Sequence, residues 1–162
     1  MAYKIDVRII LKDHFKTLVN AKTKRPDFRD YFFFLVLPAS ISFLLVYNCL
    51  LIKDQFVSSI IGGLSIYVAL SLNFIVLLFE LSSKDRFKEP DERGIIKQTV
   101  ANISVSIFYS ILIIVFSLLS NYSIISVYFN FLTYFLIIEF ILTLLMILKR
   151  VYILLSQQLD SM

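Results

Sequence analysis

Residues 99–119 read TVANISVSIFYSILIIVFSLL, an apolar run of 21 residues without a charged side chain. A helix needs about 20 mostly apolar residues to cross roughly 30 Å of hydrocarbon. Three further apolar runs of comparable length occur at residues 31–52, 56–81 and 124–148. The sequence therefore predicts an all-α integral membrane protein with four transmembrane helices.

The composition supports this class. Hydrophobic residues make up 59% of the chain and charged residues 17%, and the mean hydropathy is +0.83. Such values exclude an ordinary soluble domain. The predicted organisation is a basic cytoplasmic segment at 1–30, a bundle at 31–148 with an inner loop at 82–98, and a cytoplasmic tail at 149–162. No room remains for a second folded domain.

The basic residues predict the orientation of the bundle. Fifteen of the sixteen Lys and Arg residues lie on one side of the four runs, and only Lys53 lies in a connection on the other side. Because cytoplasmic loops carry the Lys/Arg excess, we expect both termini in the cytoplasm and a bacterial inner-membrane location. The short outer links, at 53–55 and 120–123, predict two antiparallel hairpins.

The first thirty residues combine an amphipathic pattern with a local excess of positive charge. On a helical projection Val7, Leu11 and Leu18 share one arc, and Arg8 and Lys12 lie opposite. This pattern predicts a cytoplasmic helix that lies on the inner leaflet or packs against copies of itself. Its charge suits anionic lipid headgroups, or a nucleotide or oligonucleotide. The candidate binding residues are Arg8, Lys12, Lys22, Lys24 and Arg25.

Small and polar residues form one narrow face on each of two predicted spans. At 100° per residue, each face covers an arc of about 80°. The face of the third span consists of Thr99, Asn102, Ser106, Ser110 and Ser117, and that of the second of Ser58, Gly62, Ser65, Ala69, Asn73 and Glu80. Such faces either pack helices closely through small residues and hydrogen bonds or line a water-filled path. The second span, with its Gly and Ala, favours packing, and the third leaves both readings open.

Glu139 is the one ionisable residue deep within a predicted span. A charged carboxyl at that depth is costly, so we expect it to be neutral or to have a partner. One reading is a functional acid, and the other is a protonated carboxyl that hydrogen-bonds to Asn73, Ser106 or Tyr109. Thr143, one turn later, can join either network.

The sequence contains no pattern of an enzyme. Cys49 is the single cysteine and His14 the single histidine, and no glycine-rich phosphate loop, carboxylate pair or metal-ligand spacing occurs. A nucleophile needs a positioned base, and none is supplied. We therefore expect no enzymatic activity, no metal and no cofactor.

The layout of basic leader, tight hairpins, charged inner loop and minimal outer surface resembles that of small multi-span effectors of bacterial anti-phage defence. In those systems a partner nucleotidyltransferase makes a nucleotide signal that controls a membrane-disrupting channel. The resemblance implies a homo-oligomeric channel or effector controlled by an anionic nucleotide or oligonucleotide. Two alternatives stay open: a non-conducting scaffold that anchors a soluble cytoplasmic partner protein, and a small proton-coupled transporter that uses Glu139.

Overall fold

The structure, a computed structural model, describes residues 32–48, 52–83, 90–120 and 126–160. These residues form four helical segments. A π-helical turn, Phe32–Val36, leads into helix α1, Leu37–Tyr47. The other helices are α2 (Asp54–Ser83), α3 (Pro90–Ser120) and α4 (Ser126–Asp160).

Three of the four helices are long and apolar enough to cross a membrane, over Asp54–Glu80, Arg93–Ser120 and Ser126–Ser156. The all-helical class is thereby confirmed, and the three long helices are compatible with membrane-spanning segments. The fourth apolar helix, Phe34–Tyr47, is shorter. Four complete spans and two hairpins stay predictions, and the amphipathic helix predicted within 1–30 lies outside the described residues.

The first segment departs from the predicted run at 31–52. Its π-helical turn and α1 together cover roughly 24 Å at the α-helical rise, short of the roughly 30 Å of a hydrocarbon core. Pro38, in the first turn of α1, has no N–H to donate to the carbonyl of Phe34, and its ring crowds that carbonyl. A widened π-helical turn before the proline is the local response. At the other end, the backbone N–H and Nδ2 of Asn48 both donate to the carbonyl of Leu44, at 3.0 and 2.7 Å.

Helices α3 and α4 extend beyond their predicted apolar runs, at the start of α3 and at the end of α4. The inner loop was predicted at 82–98, yet α3 begins at Pro90 and continues through Gly94. Proline is favoured in the first helical turn, where its missing N–H has no partner in any case. A single glycine costs a helix only about 1 kcal/mol. Helix α4 likewise continues to Asp160, through most of the tail predicted at 149–162.

Helices α3 and α4 form the centre of the protein and run in opposite directions. Ile96, near the start of α3, packs in one apolar cluster with Leu154, near the end of α4. Ile113, later in α3, packs with Leu136, earlier in α4. The Arg150 guanidinium also donates to the backbone carbonyl of Gln98, at 3.1 Å. Helix α2 packs against α3, and α1 packs against α4.

The distribution of polarity is inverted relative to a soluble protein. Among the described residues, the buried side chains include slightly more polar than apolar ones, whereas large apolar side chains are widely exposed. Phe79 is 74% exposed and Leu148 66%. An exposed apolar surface of this extent is favourable only where lipid covers it. The surface therefore agrees with a multi-pass membrane protein.

Candidate functional site

The polar face of α3 lies inside the protein. Its five predicted members are fully buried: Thr99, Asn102, Ser106, Ser110 and Ser117 each have 0% exposure. Asn130, Thr133, Glu139 and Thr143 of α4 are also buried. Since α3 and α4 are antiparallel, the two sets meet along most of the interface. In this conformation the α3 face therefore contacts neighbouring helices, and its five side chains are closed off from solvent.

Most hydroxyl groups of this interface bond to their own helices, although Ser117 Oγ has no hydrogen-bond partner among the described residues. Thr99 donates to the carbonyl of Ile95 at 2.8 Å, and Ser110 donates to that of Ser106 at 2.9 Å. Thr143 donates to the backbone carbonyl of Glu139 at 2.8 Å. Such bonds use the hydroxyl proton locally and leave the oxygen able to accept from another helix. Small, locally satisfied side chains allow α3 and α4 to approach closely.

Tyr67 joins α2 to this interior. Its hydroxyl lies 2.6 Å from Ser106 Oγ, and Ser106 Oγ donates to the carbonyl of Ile103 at 2.8 Å. Tyr67 therefore donates to Ser106, which extends the chain of hydrogen bonds across two helices. The Tyr67 ring also meets Phe140 edge-on, with ring centroids 4.9 Å apart and planes at 87°. One residue thus connects the middles of α2, α3 and α4.

Glu139 lies within the same interior, next to Phe140. It is 5% exposed, and its Oε1 has no hydrogen-bond partner in the part of the chain that the structure describes. Of the three partners expected for it, Tyr109 lies within electrostatic range. Ser106 is engaged by Tyr67, and Asn73 is exposed on α2. The arrangement is a buried acid with polar neighbours on two helices.

Asn130, near the start of α4, connects this helix to the link between α1 and α2. The backbone N–H of Ile52, in the link between α1 and α2, donates to Asn130 Oδ1 at 3.2 Å. Asn130 Nδ2 in turn donates to the carbonyl of Ser126 at 2.9 Å. Both Ile52 and Asn130 are buried. This single amide therefore satisfies a buried backbone group 78 residues away in the sequence.

The polar face of α2 points away from the other described helices. Ser58, Gly62, Ser65, Ala69 and Asn73 are all exposed, as is Glu80. The helix buries the opposite side, which includes Val57 and Leu78. A Cβ built on either Gly62 or Gly63 would meet nothing within 4 Å. Within the part of the chain that the structure describes, the small-residue face of α2 is therefore left exposed.

The predicted ligand-binding cations cannot be placed. Arg8, Lys12, Lys22, Lys24 and Arg25 lie outside the described residues, as do His14 and Cys49. Lys53, by contrast, is exposed directly before α2. Among the described residues no cluster of His, Cys, Asp or Glu is arranged to hold a metal ion.

Comparison with protein families, curated proteins and solved structures gives no match.

Sequence reasoning missed Tyr67 and Asn130. Tyr67 lies in an apolar stretch, and its phase on α2, about 180° from Ser58 at 100° per residue, is the signal that places it toward the other helices. Asn130 is an amide near the start of a predicted span, where an unpaired amide is costly. That cost alone indicated a partner, although not its identity.

Proposed function

We propose that the chain is one subunit of a homo-oligomeric channel or membrane-disrupting effector in a bacterial inner membrane. The observation that carries this proposal is the surface of α2. Of the most apolar stretch of this membrane-length helix, only 6% is buried, and its outward face contains Ser58, Gly62, Ser65 and Asn73. Lipid tails cannot satisfy an exposed amide. A second copy of the helix, or water in a central path, can do so.

In a closed, symmetric oligomer the exposed face of α2 would have a function. Copies arranged around an axis would bring the α2 faces together, with the open side of Gly62 permitting close approach of backbones. The α3 face is fully buried within one subunit. A path between subunits, lined by α2, requires no separation of α3 from α4. The α2 face is therefore the pore-lining surface in this proposal, and the α3 face packs the subunit.

Control comes from the cytoplasmic side in this proposal, with four spans and both termini inside. Eight basic residues precede the first apolar run, and almost no polar chain is available on the outer side. An anionic nucleotide or oligonucleotide would bind Arg8, Lys12, Lys22, Lys24 and Arg25. Contacts of this kind weaken steeply as the salt concentration rises.

The test is ion flux through liposomes that contain the purified chain, measured with and without candidate nucleotides. We expect flux that depends on a nucleotide and falls when Asn73→Leu removes the polar α2 surface. Asn48→Leu is the matched control, because Asn48 is also exposed but bonds only within α1. If no nucleotide, ion or lipid condition yields flux above empty liposomes, the channel proposal is lost.

A proton-coupled transporter is the second candidate, and Glu139 favours it. Such a site needs several polar groups at one depth, and the interior provides Thr143, Tyr109 and Ser106 around the middle of α3 and α4. Glu139→Gln keeps the size and hydrogen-bonding capacity of the side chain but cannot release a proton. Loss of proton-driven transport with unchanged oligomer assembly would favour this candidate. Unchanged activity in Glu139→Gln would leave the acid a structural role only.

A further inference from the structure

Two adjoining cavities follow the seam between α2 and α4. The first, of about 410 Å³, lies at the start of α2 and is lined by Ile52, Lys53, Gln55, Phe56, Ser59 and Tyr134. The second, of about 330 Å³, continues from Phe56 toward the middle of the helices, where it reaches Tyr67 and Phe140. Phe56 lines both cavities, so they form one continuous seam with two chemically different ends.

The first cavity suits a phosphate at the membrane surface. Its lining includes Lys53, Gln55, Ser59 and Tyr134. The Ser59 hydroxyl donates to the carbonyl of Gln55, so the Lys53 ammonium is the charged donor for a phosphate. It also lies at the N-terminus of α2, where the helix dipole favours an anion, although the N–H groups of Phe56 and Val57 already donate to the carbonyl of Lys53. The carboxylate of Asp54 lies in the same turn and offsets the Lys53 charge. A free anion would therefore be held weakly, and further binding energy must come from the second cavity.

The second cavity suits a hydrocarbon chain. Ile113 of α3 and Phe140 of α4 line it together with Gly63 of α2, whose missing side chain leaves one wall open. Its single polar side chain is Tyr67, whose hydroxyl is bonded to Ser106. From Phe56 to Tyr67 the helix rises roughly 16 Å. This is about half of the roughly 30 Å hydrocarbon core, the depth of one leaflet.

We infer that this seam binds one membrane phospholipid, with its phosphate at Lys53 and one acyl chain in the groove that passes Gly63. A lipid matches both the polar opening and the narrow apolar groove. The inference stands apart from the proposed channel, since Gly63 lies to the side of the exposed polar face of α2.

The experiment is native mass spectrometry of the full chain in mild detergent after equilibration with dioleoyl phosphatidylglycerol or phosphatidylethanolamine. We expect about one retained phospholipid per subunit, and Lys53→Gln or Gly63→Leu should each lower that occupancy by at least about fivefold. Both changes are compatible with folding, because Lys53 is exposed and a Cβ at Gly63 meets nothing. Lys97→Gln and Gly94→Leu make the same changes at exposed positions away from the seam and should leave occupancy unchanged.

Three further probes distinguish the occupants. Dioleoylglycerol lacks the phosphate and glycerol phosphate lacks the chains, so each should be retained far less than the phospholipid. Equal retention of either probe would overturn the inference, as would full occupancy in both seam variants. A Gly63→Cys variant in a Cys49→Ser background tests for a second copy. Efficient disulfide-linked dimers in membranes would show that another subunit covers the groove and would also overturn it.

Discussion

Tyr67 is the residue whose removal tests the three-helix junction most directly. Tyr67→Phe keeps the ring and its edge-on contact with Phe140 but removes the hydroxyl that bonds to Ser106. We expect the free energy of unfolding to fall by about 0.5–1 kcal/mol, the usual value of a hydrogen bond between membrane helices. Reversible unfolding in mixed micelles, followed by circular dichroism, provides the measurement.

A matched control and a double mutant separate this bond from general effects of the substitution. Tyr128→Phe removes a hydroxyl at a position that is 70% exposed and should change the unfolding free energy by less. Combining Tyr67→Phe with Ser106→Ala should cost less than the sum of the single changes, because both remove the same bond. Strict additivity would show that the two hydroxyls do not interact in the folded protein.

At the same scale, the sequence predicted which residues of α3 share a face but not what that face contacts. The 100° repeat aligns Asn102, Ser106 and Ser110 whatever their neighbours are, since the repeat is a property of one helix. Whether the face meets another helix or water depends on contacts between helices, which periodicity does not contain. The phases of Tyr67 on α2 and Glu139 on α4 become informative only once the packing of these helices is known.

Between elements, Asn130 is the contact with the clearest energetic consequence. Asn130→Leu leaves the buried N–H of Ile52 without an acceptor, and this should cost about 1–3 kcal/mol of stability. The amide of Ile52 should also exchange its hydrogen faster, which mass spectrometry of the corresponding peptide can detect. Thr133→Val is the control, because the Thr133 hydroxyl bonds only to Phe129 of its own helix. Equal exchange at Ile52 in both variants would contradict the proposed link.

The ends of the elements show where hydropathy fails as a guide. It predicted a first span at 31–52, but Pro38 and Asn48 limit the regular α-helix to Leu37–Tyr47. It ended the third and fourth spans near their charged residues, yet α3 begins at Pro90 and α4 continues to Asp160. Hydropathy reports which residues prefer lipid, whereas a helix ends where its backbone hydrogen bonds end. The two boundaries coincide only when a helix stops at the membrane surface.

For the whole molecule, the decisive contrast is between two similar polar faces with opposite environments. The α3 face is buried against other helices of the same chain, whereas the α2 face, with Asn73, is exposed. If α2 assembles the oligomer, Asn73→Leu should leave the subunit folded and weaken association by about 0.5–2 kcal/mol per contact. Cross-linking in native membranes and sedimentation in detergent measure the assembly, with unfolding of the subunit measured in parallel. Asn48→Leu should leave assembly unchanged, and an unaltered oligomer in Asn73→Leu would exclude this face as the contact between subunits.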